Sequence, residues 1–226
     1  MTICIIPARY GSKRIKHKNI KLFNGKPIIS YAIKLAKSSG LFERIVVSTD
    51  SKKIATIAKK YGAEVPFLRS KNLSDDFTNT AEVMIDAIKK IHSENNKYHF
   101  CIYPTTTLIS KSDLIKSFKK IKKENADLLI AIADFDKSPY RALKITKKKN
   151  IKFFFEKFAK YRTQDVPKLF QDSGSFYIHK TDKLIKNKGK LSNKSTYYHL
   201  GKYKSVDIDN EINFKFAEFL YKIKKK

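Results

Sequence analysis

Cysteine occurs only twice, at Cys4 and Cys101, each inside an apolar run. That excludes a disulfide framework and a cysteine-built zinc site, and it reads as two reduced thiols buried in strands. Glycine is scarce, with seven in 226 residues. The loop after the first apolar run holds Gly11 alone, so neither a Walker A loop nor a dinucleotide-type GxGxxG is present. No apolar run approaches the roughly 18 residues that a membrane span needs. The opening "MTICIIPARYG" lacks a basic n-region and its apolar run is too short for a signal peptide, so a soluble, cytoplasmic protein with no membrane partner is expected. Acidic residues are also few, 21 against 49 Lys and Arg, a net charge of +28.

Such a charge invites a nucleic-acid partner. Arginine argues against it: only six are present, at 9, 14, 44, 69, 141 and 162, whereas lysine is spread along the whole chain beside many Asn, Ile, Phe and Tyr. A nucleic-acid binder concentrates arginine for bidentate contacts. Most of the lysines read as solvated faces, and no nucleic-acid partner is expected.

The first half alternates short apolar runs with amphipathic stretches. "TICIIP", "RIVVSTD", "AEVPFLR", "YHFCIYP" and "ADLLIAIAD" read as strands. Between them "PIISYAIKLAKSSG", "SKKIATIAKKYG", "TNTAEVMIDAIKKIHSEN" and "SKSDLIKSFKKIKKE" read as helices, with Ser51 and Ser110 as N-caps and Gly40 and Gly62 closing the first two. This rhythm predicts an α/β fold, a doubly wound parallel sheet in one domain spanning 1–226, which the resemblance described below refines to a Rossmann-like, mostly parallel one. It stops near Asp134. From about 135 to 172 two apolar runs, "RALKI" and "IKFFFEKF", joined by "TKKKN", read as a hairpin arm whose phenylalanines either pack on the parent domain or form a dimer surface. "SGSFYIHK" resumes strand character, "SVDID" ends a last strand, and "NEINFKFAEFLYKIKKK" is a terminal helix. No internal repeat or long low-complexity segment is present.

Ligands of open α/β sheets bind beyond the carboxyl ends of the strands. There the chain places "PARYGSKRIKHKN", crowded with Arg9, Lys13, Arg14, Lys16 and Lys18, where Gly11 would let backbone approach an anion while Arg9, Lys13 and Lys18 neutralise a polyphosphate. Ser48-Thr49-Asp50, Arg69 and Pro104-Thr105-Thr106-Thr107 share that edge. Asp207 and Asp209, two apart on the expected strand, would present both carboxylates on one face. Such a pair suits a Mg²⁺ ion shared with substrate phosphates. Equally, they are solvated acids near a helix start, with Asp209 as its N-cap. His17 lies among lysines, and no histidine stands out as a base.

Whole segments carry a resemblance. "IIPARYGSKRIKHKN" is similar to the opening loop of the sugar-acid cytidylyltransferases, the enzymes that make CMP-sialic acid and its relatives, whose pattern is matched by Ala8, Arg9, Gly11, Ser12, Lys13, Lys18 and Asn19. "IVVSTD", "VPFLR", "YPTTTL", "DSGSFYI" and "SVDIDNEIN" follow in family order over nearly the full length. The resemblance implies a nucleotide-sugar transferase fold, a homodimer with the arm reaching toward the other subunit, and CMP transfer from CTP to a nonulosonic acid with release of pyrophosphate and a requirement for Mg²⁺. It places Ala8, Arg9, Gly11, Ser12, Lys13, Lys18, Asn19 and Arg69 at the nucleotide, Asp207 and Asp209 at the metal, and Arg9, Lys18 and Asp209 at the chemistry.

"SKRI", Tyr103 and "YRTQDVPKLFQDSGSFY" resemble the pseudaminic branch of the family more than the sialic or legionaminic branches. Lys16 replaces that branch's usual proline, and Ser173-Gly174-Ser175 replaces its Ala-Gly-Gln. Tyr103, Arg141, Gln171, Asp172 and Tyr177 are the implied sugar contacts, with Arg141 meeting the sugar carboxylate or pairing on the arm's surface, and Tyr177 either in the pocket or in the core. Arg162 is a looser candidate, offset by one position. The rival from another class is a basic binding protein that keeps the fold without turnover.

Overall fold

The computed structural model describes residues 2–225, without the side chains of Lys202 and Lys225. Its elements are β1 (Thr2–Pro7), β2 (Leu22–Phe23), β3 (Lys26–Pro27), α1 (Ile29–Ser39), β4 (Arg44–Ser48), α2 (Lys52–Lys60), α3 (Thr80–Lys90), β5 (Tyr98–Ile102), α4 (Lys111–Lys123), β6 (Leu128–Asp134), β7 (Leu143–Ile145), β8 (Ile151–Phe153), β9 (Phe170–Lys180), α5 (Thr181–Asn187), β10 (Ser195–His199) and α6 (Glu211–Lys225). Six strands form the central sheet in the order β10-β6-β9-β5-β1-β4. All neighbours run parallel except β9, which is antiparallel to both β5 and β6.

Central strands of such a sheet are covered on both faces and read as continuous apolar runs. Residues 2–6 of β1 and all of β5 are buried accordingly. The strand's period of two sorts β1 between layers. Cys4 and Ile6 pack with Ile29, Ala32 and Ile33 of α1 and Leu114 of α4, whereas Ile3 and Ile5 pack with Met84, Ala87 and Ile88 of α3 and Leu184 of α5. Cys4 and Cys101 are free, buried thiols, and burial pushes both pKa values up. The expected caps are present. Ser51 Oγ accepts from the Ile54 N–H, Ser110 N–H and Oγ both donate to Asp113, and Gly40 ends α1 at φ 66°. A further cap, Asn79, opens α3 by accepting the Glu82 N–H at 3.0 Å.

Four expectations differ from the fold. "AEVPFLR" is no continuous strand: it meets β4 and the residue after it only through bridges at Val46–Glu64 and Thr49–Leu68, with Pro66, which has no N–H to give a ladder, between them. "SVDID" is irregular, and the last strand is β10. The Asp209 N–H bonds to the Asp207 carbonyl at 3.1 Å, which turns the chain at Ile208. Asn210, and not Asp209, caps α6, accepting the Asn213 N–H at 2.8 Å. Strand β9 also begins at Phe170, three residues before "SGSFYIHK".

A separate cluster beneath the ligand edge joins Ile15 of the basic loop, Phe23 of the β2–β3 hairpin, Ile208 of the aspartate segment and Phe214 of α6. Ile15 and Ile208 are each 1 % exposed. One apolar cluster thus anchors the two polar loops, although nearly 200 residues separate them in the chain.

Candidate active site

Strands β4 and β5 lie on opposite sides of β1, so the chain's crossovers diverge there and leave a crevice beyond the strand ends. Pro7, Arg9, Lys18, Arg69, Asp76 and Tyr103 line that crevice. The basic loop is fixed from below by Ala8, which is buried and donates its N–H to the Ser48 carbonyl at 2.9 Å. Asn19 Nδ2 donates to the Arg9 carbonyl at 2.8 Å, closing the loop on itself. The Tyr10 N–H donates to Asp50 at 2.8 Å and its ring stacks on His17, 4.1 Å between centroids. Gly11 and Ser12 line the open outer part of the loop with Lys13 and Arg14. A Cβ added at Gly11 would meet nothing within 4 Å, so the backbone there is accessible to an anion.

Lys18 reaches across to the aspartate segment. Its Nζ donates to the Ile208 carbonyl at 2.7 Å and lies 3.7 Å from Asp209 Oδ1. Burial lowers its pKa, and the charges of Asp209 and Asp207 oppose that shift. Arg14 Nη1 holds the other Asp209 oxygen at 2.7 Å. Asp207 is exposed at the surface, yet desolvation by its neighbours and then the charge of Asp209 raise its pKa. Asp207 Oδ1 lies 3.6 Å from where a Cβ on Gly174 would stand, which ties it to the β9 segment.

Arg69 is 5 % exposed, its N–H held by the Thr49 carbonyl at 2.7 Å and its Nε by Ser74 Oγ at 3.0 Å. Burial lowers its pKa, with Asp50 opposing.

The expected sugar contacts separate into two groups. Tyr103, Asp172 and Tyr177 come together: Tyr177 Oη donates to Asp172, the rings of Tyr103 and Tyr177 meet edge to face at 5.8 Å, and Thr80 Oγ1 pairs with Tyr103 Oη at 2.6 Å. Five residues along a straight strand would put Asp172 and Tyr177 about 16 Å apart. A β-bulge removes that distance. Ile130 pairs with Tyr177 and Ile132 with Asp172, so two steps on β6 face five on β9, and Gly174 takes φ 60° within the bulge. Ser175 there gives its carbonyl to the Tyr103 N–H at 3.0 Å and to Thr106 Oγ1 at 2.8 Å. Burial raises the pKa of both tyrosines, which keeps them neutral donors.

Arg141 and Gln171 are not part of that cluster. Arg141 donates to the Ala159 carbonyl at 3.2 Å and stacks over Phe153, so it is an organising residue of the arm. Gln171 Nε2 donates to the Asp134 carbonyl at the arm's base. Arg162 pairs with Asp165 on the arm. The arm's hairpin is as expected, β7 against β8, but its aromatics are mostly packed on one another: Phe155 and Phe158 lie on Tyr140, and of Phe153, Phe154, Phe155 and Phe158 only Phe154 is exposed, the others being half-buried.

Sequence reasoning missed Asp75, Asp76 and Thr80. In a chain with only 21 acids the adjacent pair "DD" beside a cationic edge was the available signal for the first two.

Comparison with known proteins places this geometry. The family model described as "Cytidylyltransferase" matches residues 3–224. The chain belongs to that family and is a cytidylyltransferase. It is 38 % identical over 223 residues to a pseudaminic acid cytidylyltransferase of Campylobacter jejuni, covering 98 % of this chain and 96 % of the relative. It is also 34 % identical over 229 residues to a CMP-N,N'-diacetyllegionaminic acid synthase of the same species, covering 98 % and 95 %. Among solved structures, a CMP:2-keto-3-deoxy-manno-octonic acid synthetase complexed with CTP aligns with a TM-score of 0.73 over 99 % of both chains, at 13 % identity, which is a likeness of fold. No helix among the described residues is long and apolar enough to cross a membrane.

Proposed function

We propose that the protein transfers CMP from CTP to the anomeric hydroxyl of pseudaminic acid, releasing pyrophosphate. The observation that carries this reading is that the cationic loop and Tyr103 line one crevice, to which Lys18 joins the Asp207–Asp209 segment and Tyr103 joins the Asp172–Tyr177 pair of the adjoining cavity. The relatives narrow the acid, since the 38 % identical one is a pseudaminic acid cytidylyltransferase.

In this reading Arg9, Lys13 and Lys18, with the backbone at Gly11 and Ser12, hold the triphosphate and stabilise the charge that gathers on the leaving pyrophosphate. Asn19 shapes the loop, and buried Arg69 adds a fixed positive charge beside the nucleotide. Tyr103, Tyr177 and Asp172 orient the sugar so that its hydroxyl stands in line with the bond to be broken.

Mg²⁺ fits the residues present. Desolvation and then the charge of Asp209 raise the pKa of Asp207, a strain that a shared cation would relieve, and Mg²⁺ takes one or two carboxylates with the rest of its shell from substrate phosphates and water. Asp207 and Asp209 would hold it, and when bound it would polarise the α-phosphate.

We further propose a homodimer through the arm, whose hairpin leaves Leu143, Ile145 and Ile151 58–78 % exposed.

Pyrophosphate release with CTP and Mg²⁺, measured in parallel with pseudaminic, legionaminic and N-acetylneuraminic acids, tests the function. Release with pseudaminic acid alone is expected. Release with another acid alone would replace the sugar, and no release from folded protein with any of the three would remove the reading.

A further inference from the structure

The cations assigned to the triphosphate already have partners. Arg9 Nη1 is 2.7 Å from Asp76 Oδ1 and donates to the Asp75 carbonyl at 2.6 Å, while Lys13 pairs with the other oxygen of Asp76. Arg14 and Lys18 share Asp209. Two carboxylates, from two distant segments, therefore serve four cations of one loop.

Asp76 does not reach the loop by chance of rotamer. It sits on a strap, residues 70–79, that is wound tightly by its own polar groups. Asp75 Oδ1 accepts from the N–H groups of Phe77 and Thr78, at 3.0 and 2.7 Å, and from Thr78 Oγ1 at 2.7 Å. Thr78 Oγ1 also bonds to the Asn72 carbonyl at 3.1 Å, and Ser74 Oγ to the Ser70 carbonyl at 2.9 Å. The turn consumes Asp75 and leaves the neighbouring carboxylate, Asp76, pointing at Arg9 and Lys13. Both of those cations hold its proton affinity down, so it is an anion whenever the nucleotide is.

A carboxylate between a guanidinium and an ammonium presents the charge and the acceptor oxygens that a phosphate would present. It cannot stay there once a triphosphate arrives, because two anions would then share the same donors. We infer that Asp76 is a placeholder: it holds Arg9 and Lys13 in the nucleotide-free protein and yields them to the triphosphate of CTP, so that nucleotide entry is an exchange of anions that frees the strap from the loop. Asp76 is a positioning residue, acting through Arg9 and Lys13, and the inference rests on the reading that this loop holds the triphosphate.

The exchange has two separate readouts. Asp76→Asn keeps an acceptor oxygen for Arg9 and Lys13 but removes the competing charge. Its affinity for CTP, measured by calorimetry without sugar, is expected to rise about two- to fivefold at low salt, the range to which exposed ion pairs convert. The gap from wild type closes as salt screens the pair. A residue that merely supports the loop would instead lose affinity on substitution, at every salt concentration. The second readout uses a gap in the composition. The chain has no tryptophan, and Phe77, beside Asp76, is 94 % exposed, so Phe77→Trp places on the strap the one tryptophan, which can be excited apart from the tyrosines. Its emission is expected to shift as CTP binds, and in the Phe77→Trp, Asp76→Asn double variant the shift on CTP addition shrinks. Weaker or unchanged CTP binding by Asp76→Asn at low salt overturns the placeholder, as does a silent tryptophan when calorimetry shows CTP bound. No CTP binding by the wild-type protein overturns the nucleotide reading, and the placeholder with it.

Discussion

Arg14 and Asp209 stand 195 residues apart in the chain, yet Nη1 of one lies 2.7 Å from Oδ2 of the other, above a shared apolar floor of Ile15 and Ile208. The pairing brings the start and the end of the sequence to one site. Asp209→Ala is expected to lower turnover by about a hundredfold or more, the scale of losing one stabiliser of developing charge. The fold should persist, because a partly exposed ion pair contributes only about 0–1 kcal/mol. Pyrophosphate release with a circular-dichroism melt alongside checks both halves. Unfolded protein, or wild-type turnover, would contradict the assignment.

Chelation is expected to stop turnover completely, with Mg²⁺ restoring it and the melting curve unchanged in the absence of nucleotide. The reason is that Asp207 and Asp209 are held by the chain itself, through Ile208 and the Lys18–Ile208 hydrogen bond. A melting point that falls on chelation would reveal a resident structural ion instead.

Tyr177→Phe removes the donor to Asp172 while leaving the ring against Tyr103. The KM for the sugar is expected to rise about tenfold, the scale of one hydrogen bond to a charged group. The KM for CTP should hold, since the pair stands on the β9 side of the crevice. Equal changes in both constants would show that the bulge carries the nucleotide as well.

Acid should destabilise the protein earlier than its carboxylates predict. His99 is buried with Nε2 on Ser93 Oγ at 2.9 Å and Nδ1 on Thr181 Oγ1 at 2.8 Å, and desolvation lowers its pKa to about 4. Desolvation, then the neighbouring His99, lowers His179 to about 4 as well. Between pH 6.5 and about 4 the unfolded chain binds protons that the folded chain refuses, so stability falls as pH falls through that window. Each histidine contributes up to about 3 kcal/mol of that loss. Thermal melts across the window should show the slope, and His99→Gln should reduce it by about half.

The parallel core and its helices were legible because Val, Ile and Phe runs alternate with capped amphipathic stretches, each consistent with the next. The irregular parts were not, for identifiable reasons. "VDID" alternates like a strand, and its alternation is real: Ile208 points into the core with aspartates on either side. The turn that the Asp209 N–H makes with the Asp207 carbonyl satisfies backbone without a neighbouring strand, and no residue type marks it. The direction of β9 is likewise absent from composition, being decided by where the arm ends. Asn24-Gly25, with φ 44° and 79°, is a plain hairpin signal in the sequence, and it joins β2 to β3. Asp172 and Tyr177 were picked out by resemblance, but only the bulge at Gly174 explains why they touch.

The antiparallel course of β9 bears on how such a protein could change. The arm leaves at Asp134 and returns at Phe170, and these two residues are paired neighbours in the sheet. Lengthening, shortening or exchanging everything between them leaves the strand order untouched, and the closure cost of a surface loop grows only slowly with its length. The arm is therefore a detachable cassette, hung on one pair of neighbouring strands and free to vary without disturbing the sheet that carries the crevice.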